Sequence, residues 1–149
     1  MKAGAAALVL AVAAAATAHA ADADVATALA AIAKRSTIEL TTTGRKTGKP
    51  HTKPIWFVVD GGKIVVQAGK DGKTDWYQNL LAKPEAEARQ SEYAFRVRAT
   101  PLVDAARVEA IHQLFLSKYT SAWLLSFVGS SIGRGKPVEL TPLSVAVSR

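Results

Sequence analysis

Cysteine is absent from all 149 residues, which excludes disulfides, thiol nucleophiles, thiolate metal sites and cysteine-bound haem. No group of His, Asp or Glu residues has the spacing of metal ligands either. Acidic residues are few, 12 against 19 basic ones, so the formal net charge is +7. This excess favours an anionic partner, such as a phosphate group, a nucleic acid or an anionic lipid, without choosing among them.

The sequence does contain enough apolar material for a core, because 49% of its residues are apolar and 21% are charged. Its length favours one domain. The first residues form a separate unit: Lys2 is followed by the apolar run Ala3–Ala16, which is too short to span a membrane, and Ala18-His19-Ala20 fits a cleavage site. We therefore predict a periplasmic or secreted protein, with a cleavable signal at 1–20, a helical segment at 21–36 and one domain at 37–149.

Alternating and β-branched segments predict a domain rich in antiparallel strands. Asp60-Gly61-Gly62 predicts a hairpin turn, because Asp and Gly tolerate the positive φ that such turns need. Tyr93–Thr100 alternates, with Tyr93, Phe95, Val97 and Ala99 on one face. The predicted strands are Thr37–Thr43, Thr52–Val59, Lys63–Ala68, Glu85–Arg89, Tyr93–Thr100 and Val138–Leu140.

Three segments carry apolar residues at helical spacing, namely Ala21–Lys34, Asp75–Ala82 and Asp104–Tyr119. Asp104 is the expected cap of the longest, whose apolar stripe ends at Tyr119. His112 lies off this stripe and is interpreted as structural. A few helices beside antiparallel strands predict a mainly β (α+β) fold, a small antiparallel barrel with flanking helices.

Two basic, glycine-containing loops are candidate anion-binding sites. The first is Gly44–Gly48, where glycines let backbone N–H groups approach an anion and Arg45 suits bidentate contact with phosphate. The second is Ala68–Lys73, which runs into a helix start where Trp76 and Tyr77 offer flat faces and Asn79 a fixed amide. Each loop is also compatible with an ordinary role, the first as a solvated turn and the second as solvated lysines beside a core Trp76.

The order and spacing of these motifs resemble the deazaflavin-dependent nitroreductase family, a branch of the split β-barrel flavin-binding proteins. The resemblance rests on T-T-T-G-R-K-T-G-K-P, Pro54, Asp60-Gly61, A-G-K and D-W-Y-Q-N-L-L-A-K-P, and covers about Leu40 to Pro84. It implies a split β-barrel that transfers hydride from a reduced deazaflavin, coenzyme F420, to a quinone-like or nitroaromatic acceptor. FMN is the alternative cofactor, and pairing of two copies is a further implication.

The resemblance also implies roles for individual residues. The first loop would hold the phosphate and polar tail, Pro54 and Ile55 would lie beneath or beside the ring, and the second loop would border both. No catalytic side chain is implied, because the cofactor carries the reactivity. The implied cofactor-binding residues are Thr43, Gly44, Arg45, Lys46, Thr47, His51, Pro54, Ile55, Ala68, Gly69, Lys70, Trp76, Tyr77 and Asn79.

The sequence departs from the family pattern at His51, where an arginine is common, in the short loop Gly69–Thr74, and in its export signal. An alternative function is a non-catalytic periplasmic binding module for a flat hydrophobic ligand or a lipid. The apolar run Trp123–Val128 favours it, either at a pocket mouth or as a peripheral membrane contact. Nucleic acid is not expected as a partner, since only Tyr93–Arg98 interleaves aromatics with cations and its aromatics face inward.

Overall fold

The computed structural model describes residues 24–119 and 135–148 of the chain, which form six antiparallel strands and flanking helices. The elements are α1 (24–32), β1 (Thr37–Thr43), β2 (Pro50–Asp60), β3 (Lys63–Ala68), α2 (Asp75–Ala82), β4 (Glu85–Gln90), β5 (Tyr93–Pro101), α3 (Ala105–Lys118) and β6 (Lys136–Val147). The strands close a barrel in the order β1-β2-β3-β6-β5-β4, and β4 pairs back with β1. This architecture confirms the predicted fold class.

Two predicted segments lie outside the described residues, namely the signal at 1–20 and the apolar run at 123–128. Within 24–119 and 135–148, no helix has both the length and the apolar character that a membrane crossing requires.

Local chemistry explains most of the element boundaries. The β2–β3 hairpin turns at Gly61 and Gly62, whose φ angles are 58° and 75°. The Asp104 carboxylate caps α3 by accepting the backbone N–H of Arg107 at 2.8 Å. β3 and α2 have the predicted bounds. Gly62 and Gly69 flank β3, and Pro84 follows α2, so local residues define both elements.

The longest difference from the prediction is β6, which runs over 12 residues where only Val138–Leu140 was expected. Pro142 lies inside it, and proline normally argues against a strand interior because it lacks a backbone N–H. Here Arg96 pairs with Ser144 while Val97 pairs with Pro142, so Leu143 is an extra residue in β6. This bulge lets the strand continue through the proline.

Alternation along β2 divides the apolar residues into two clusters. Phe57 points into the barrel and is fully buried with residues such as Phe95. Val58 points outward and packs with Phe115 of α3. α3 therefore covers the outside of β2 and β3.

The helix α3 also completes the backbone hydrogen bonding of β2. β1 begins at Thr37, which pairs with Trp56, so no β1 residue lies beside Phe57. The Phe57 N–H donates to the Tyr119 hydroxyl at 3.0 Å, and Lys118 Nζ donates to the Phe57 carbonyl at 2.7 Å. The Tyr119 hydroxyl donates in turn to the Ser36 carbonyl at 2.8 Å, and burial raises the pKa of Tyr119 to about 12.

Tyr119→Phe is expected to lower the free energy of unfolding by about 1–3 kcal/mol, because it leaves the buried Phe57 N–H without an acceptor. Urea unfolding followed by circular dichroism measures the change. Tyr93→Phe is the control, since the Tyr93 hydroxyl makes no hydrogen bond within the described part of the chain. Equal losses in both variants would contradict the role given to Tyr119.

A charged network fastens α3 to the barrel. The Glu139 carboxylate, whose side chain is 11% exposed, contacts Lys63 Nζ at 2.7 Å and Arg107 Nε at 3.2 Å. Arg107 also contacts the Asp60 carboxylate at 2.7 Å. The hydrogen bond from Lys63, with support from Arg107, holds the pKa of Glu139 below its ordinary 4.5 despite its burial.

Because the folded pKa of Glu139 is lowered, its stabilising effect is complete above pH 4.5 and is lost as the pH falls through the folded pKa. Glu139→Gln is expected to lower the free energy of unfolding by about 1–2 kcal/mol at neutral pH and to flatten its fall in acid. Denaturant unfolding at several pH values tests this. Glu87→Gln, in an exposed pair with Arg89, is expected to change neither quantity appreciably.

Candidate functional site

The loop that joins β1 to β2 is closed by its own backbone. The Gly44 N–H donates to the Lys49 carbonyl at 2.8 Å, and the Gly48 N–H donates to the Gly44 carbonyl at 2.9 Å. Gly44 is buried, and a Cβ there would lie 2.6 Å from Thr47 Oγ1 and 2.9 Å from His51 Nε2. A side chain at position 44 would therefore force the Thr47 and His51 side chains to move.

Arg45 in this loop is fixed by a buried amide on α2. Asn79 is 2% exposed, and its Oδ1 accepts both the Arg45 backbone N–H at 3.1 Å and Arg45 Nη1 at 2.8 Å. The other end of the amide donates from Nδ2 to Thr42 Oγ1 at 3.2 Å, and Thr42 is 1% exposed. Asn79 therefore links β1, the loop and α2, and orients the guanidinium towards the surface.

Asp75 provides a second, weaker contact to the same guanidinium. Its Oδ1 lies 3.3 Å from Arg45 Nη2, with side-chain exposures of 86% for Asp75 and 32% for Arg45. Exposed pairs of this kind contribute only about 0–1 kcal/mol. An anion that binds Arg45 can therefore displace Asp75 at little cost, while Asn79 keeps Arg45 in place.

These residues border an open cleft of about 240 Å³, which we call the loop cleft. Its cationic and hydroxyl-bearing side chains can donate hydrogen bonds to phosphate oxygens. Arginine can do so through two parallel N–H groups. The structure brings six of the predicted site residues together here. The lining residues are Gly44, Arg45, Lys46, Thr47, His51, Asp75 and Asn79.

A second cleft, of about 300 Å³, adjoins the first across Asp75, which lines both. We call it the lysine cleft. Two of the predicted residues, Lys70 and Trp76, lie in it. Its lining residues are Lys53, Lys70, Lys73, Thr74, Asp75 and Trp76.

Six predicted residues line neither cleft. Tyr77 is 9% exposed, and its ring packs so close to Gly72 that a Cβ there would lie 2.9 Å away, so its face is covered. Ala68 is 1% exposed and belongs to the core. The others are half-buried or exposed near the clefts without lining them: Thr43, Pro54, Ile55 and Gly69.

Four lining residues were absent from the predicted set, namely Lys53, Lys73, Thr74 and Asp75. Strand alternation contained a signal for Lys53, because it lies two residues after His51 and so on the same face of β2. Asp75 was interpreted only as a helix start. Its contact with Arg45 crosses 30 positions of sequence and leaves no local pattern.

A third cleft, of about 260 Å³, lies between α1, β2 and α3 and contains no predicted site residue. Desolvation lowers the pKa of Lys118 there to about 8, and its Nζ lies 3.8 Å from the centroid of the Phe57 ring.

His112 has the structural role predicted for it, since its Nε2 lies 2.9 Å from the Gly135 carbonyl. Among the residues that the structure describes, no three His, Asp or Glu side chains are grouped to hold a metal ion.

Comparisons with known proteins bear on the family of the chain. A model of the family described as F420H(2)-dependent quinone reductase matches residues 13–122. An F420H(2)-dependent quinone reductase of Mycobacterium tuberculosis is 36% identical over 66 residues, which is 42% of this chain and 44% of the relative. The match thus spans less than half of that curated relative.

Solved structures agree with the family match. An F420-H2 dependent reductase has a TM-score of 0.53 and 27% identity, over 71% of this chain and 93% of the other. A domain-swapped dimer has a TM-score of 0.55 and 26% identity, over 71% and 79% of the two chains. The family model, which covers more than half of the sequence, and the similarity to the F420-H2 dependent reductase confirm the predicted resemblance: the chain belongs to the F420H(2)-dependent quinone reductase family.

Proposed function

We propose that this chain binds coenzyme F420 with its phosphate in the loop cleft and transfers hydride from the reduced cofactor to a quinone-like or nitroaromatic acceptor. The observation that carries the proposal is the guanidinium of Arg45, held by the buried Asn79 at the mouth of a cationic cleft. Family membership supports the choice of cofactor. FMN, which also has a phosphate, is the alternative ligand of the same cleft.

The residues of the loop cleft fit a phosphate group. Arg45 is already oriented, so little side-chain entropy is lost when an anion replaces Asp75. Lys46 adds a second positive charge, and the Thr47 hydroxyl, whose Oγ1 accepts the Lys49 N–H at 3.2 Å, keeps its own hydrogen for an outward bond. His51 gives one further ring nitrogen to the same wall.

When bound, the cofactor supplies the hydride, and the protein has to position it and limit the access of water. Trp76 at the neighbouring lysine cleft offers an apolar wall for a flat ring, since it is half-buried and packs against the core. The two clefts meet at Asp75, so a ligand whose phosphate lies in the first can extend its ring system towards the second.

The proposal also includes export and pairing. The sequence pattern of residues 1–20 supports export, and a protein outside the cytoplasm would need reduced cofactor to reach it there. The related domain-swapped dimer supports a pair of chains. Size-exclusion chromatography with light scattering tests the pairing, and the N-terminal sequence of the mature protein tests cleavage after Ala20.

Binding is tested by fluorescence titration with oxidised F420, with FMN and with the deazaflavin riboside that lacks the phosphate. We expect F420 to bind most tightly and the riboside to lose most of that affinity, because it cannot contact Arg45. Turnover with reduced F420 and a quinone is then followed by absorbance. A protein that binds none of the three and reduces no acceptor overturns the proposal and favours the non-catalytic binding module.

A further inference from the structure

We propose that the lysine cleft selects an electron acceptor that carries an anionic group, such as a carboxylate or sulfonate, beside a flat ring. This inference rests on the proposed function, since it names the acceptor class of that same site. Two features of the cleft carry it: its charge and a strained loop.

The charge of the cleft is not neutralised by the protein. Lys53, Lys70 and Lys73 all line it, and none of their ammonium groups has an ion-pair partner in the part of the chain that the structure describes. Among the described residues of the lining, Asp75 is the only carboxylate, and it contacts Arg45. Three lysines against one carboxylate leave the cleft with a net positive charge, which favours binding of an anion from solution.

The aromatic wall of the cleft determines where the acceptor ring lies. Trp76 lines the cleft and packs against the barrel core. Because Trp76 is the wall proposed for the cofactor ring, the acceptor ring would stack on the cofactor and direct its anionic group towards the lysines.

The loop that carries two of the lysines is strained. Lys70 and Asp71 have φ angles of 51° and 55°, a left-handed conformation that non-glycine residues rarely adopt. The Asp71 carboxylate lies 3.6 Å from Lys136 Nζ in an exposed contact. Backbone strain of this kind is concentrated at functional sites, so its position here supports a ligand-binding role for the loop.

The same charges suit the chemistry of the acceptor. A hydride transferred from the reduced cofactor brings two electrons and one hydrogen to a quinone, which becomes the quinol monoanion and later takes a proton from water. Positive charges beside the ring stabilise the negative charge that develops in this step. The lysines would thus act on an anionic acceptor twice, first when it binds and again as it is reduced.

The experiment uses reduced F420 as the electron donor and compares two acceptors, 1,4-naphthoquinone and 1,4-naphthoquinone-2-sulfonate. The measured quantity is the ratio of their kcat/KM values, sulfonate over neutral. Lys53→Gln is expected to lower the ratio, sulfonate over neutral, by roughly fivefold, the upper range for one exposed ion pair. Lys73→Gln should act in the same direction. The wild-type ratio should also fall from about 10 mM to about 150 mM salt, because the screening length shortens from about 30 Å to about 8 Å.

Lys34→Gln is the matched control, since it removes one positive charge at an exposed position that lines neither cleft. An equal ratio in Lys53→Gln and Lys34→Gln overturns the inference. So does a loss of F420 affinity in Lys53→Gln with an unchanged ratio, because the cleft would then hold the cofactor's own anionic tail. Wild-type protein that neither binds F420 nor reduces the neutral quinone overturns the proposed function itself, and the acceptor preference with it.

Discussion

Replacing Arg45 and Lys46 together by alanine is expected to weaken binding of coenzyme F420 by about 3–6 kcal/mol, roughly a hundredfold to ten-thousandfold in Kd. Each charge-assisted hydrogen bond to a phosphate contributes about 1.5–3 kcal/mol, and each side chain would supply at least one. Both line the loop cleft. Fluorescence titration of the oxidised cofactor at constant ionic strength measures the change.

The matched control is the double change of Lys34 and Arg35 to alanine, which removes the same charge from exposed positions outside both clefts. This control separates the local phosphate contact from the general attraction of a basic protein for an anion. If the two double variants lose affinity equally, the loop cleft does not hold the phosphate. Affinity for the riboside without phosphate should change little in either variant.

The second large effect is expected from Asn79→Leu, which should lower the free energy of unfolding by about 2–4 kcal/mol. Leucine has a similar size but neither accepts from Arg45 nor donates to Thr42, so the buried Thr42 hydroxyl and the Arg45 N–H lose their partners. The same change frees the guanidinium, and F420 affinity should fall about tenfold or more because a mobile side chain loses entropy when it binds. Thermal or urea unfolding and cofactor titration measure the two effects separately.

A double-mutant cycle shows whether Asn79 acts through Arg45. In the Arg45→Ala background, Asn79→Leu should cost much less F420 affinity than it does in the wild type, because the group that it positions is gone. Gln78→Leu is the control on the same helix: it removes one hydrogen bond to the Gly72 carbonyl and has no contact with Arg45. Additive losses in the cycle would mean that Asn79 supports the fold without positioning Arg45.

The parts of the fold that the sequence predicted well are those determined by neighbours along the chain. β3 lies between a glycine turn and a glycine loop, and α2 is stopped by Pro84, so short-range signals define both. β6 was underestimated because Pro142 is tolerated only where β6 gains an extra residue against β5, and no local pattern indicates that register shift. Register between distant strands depends on tertiary packing.

The same distinction applies to the site. Gly44, Arg45 and Lys46 form a local motif, and the structure places all three in one cleft. The dependence of Arg45 on Asn79 joins positions 34 residues apart, so the sequence suggested a fixed amide there without showing what it fixes. The lysine cleft was predicted only in part: the loop Ala68–Lys73 and Trp76 were candidates, whereas Lys53 lies on β2 and meets them only in the folded barrel.

The position of β6 in the barrel also bears on how the chain is made. β6 separates β3 from β5, yet residues 69–135 lie between β3 and β6 in the sequence. During translation, the other five strands leave the ribosome before β6, and until it arrives β3 and β5 each present an unpaired edge. Such edges recruit strands from other chains, and pairing over long sequence separations is slow. A chain whose synthesis has not reached residue 136 therefore lacks the strand that covers both edges, and other chains can add strands there.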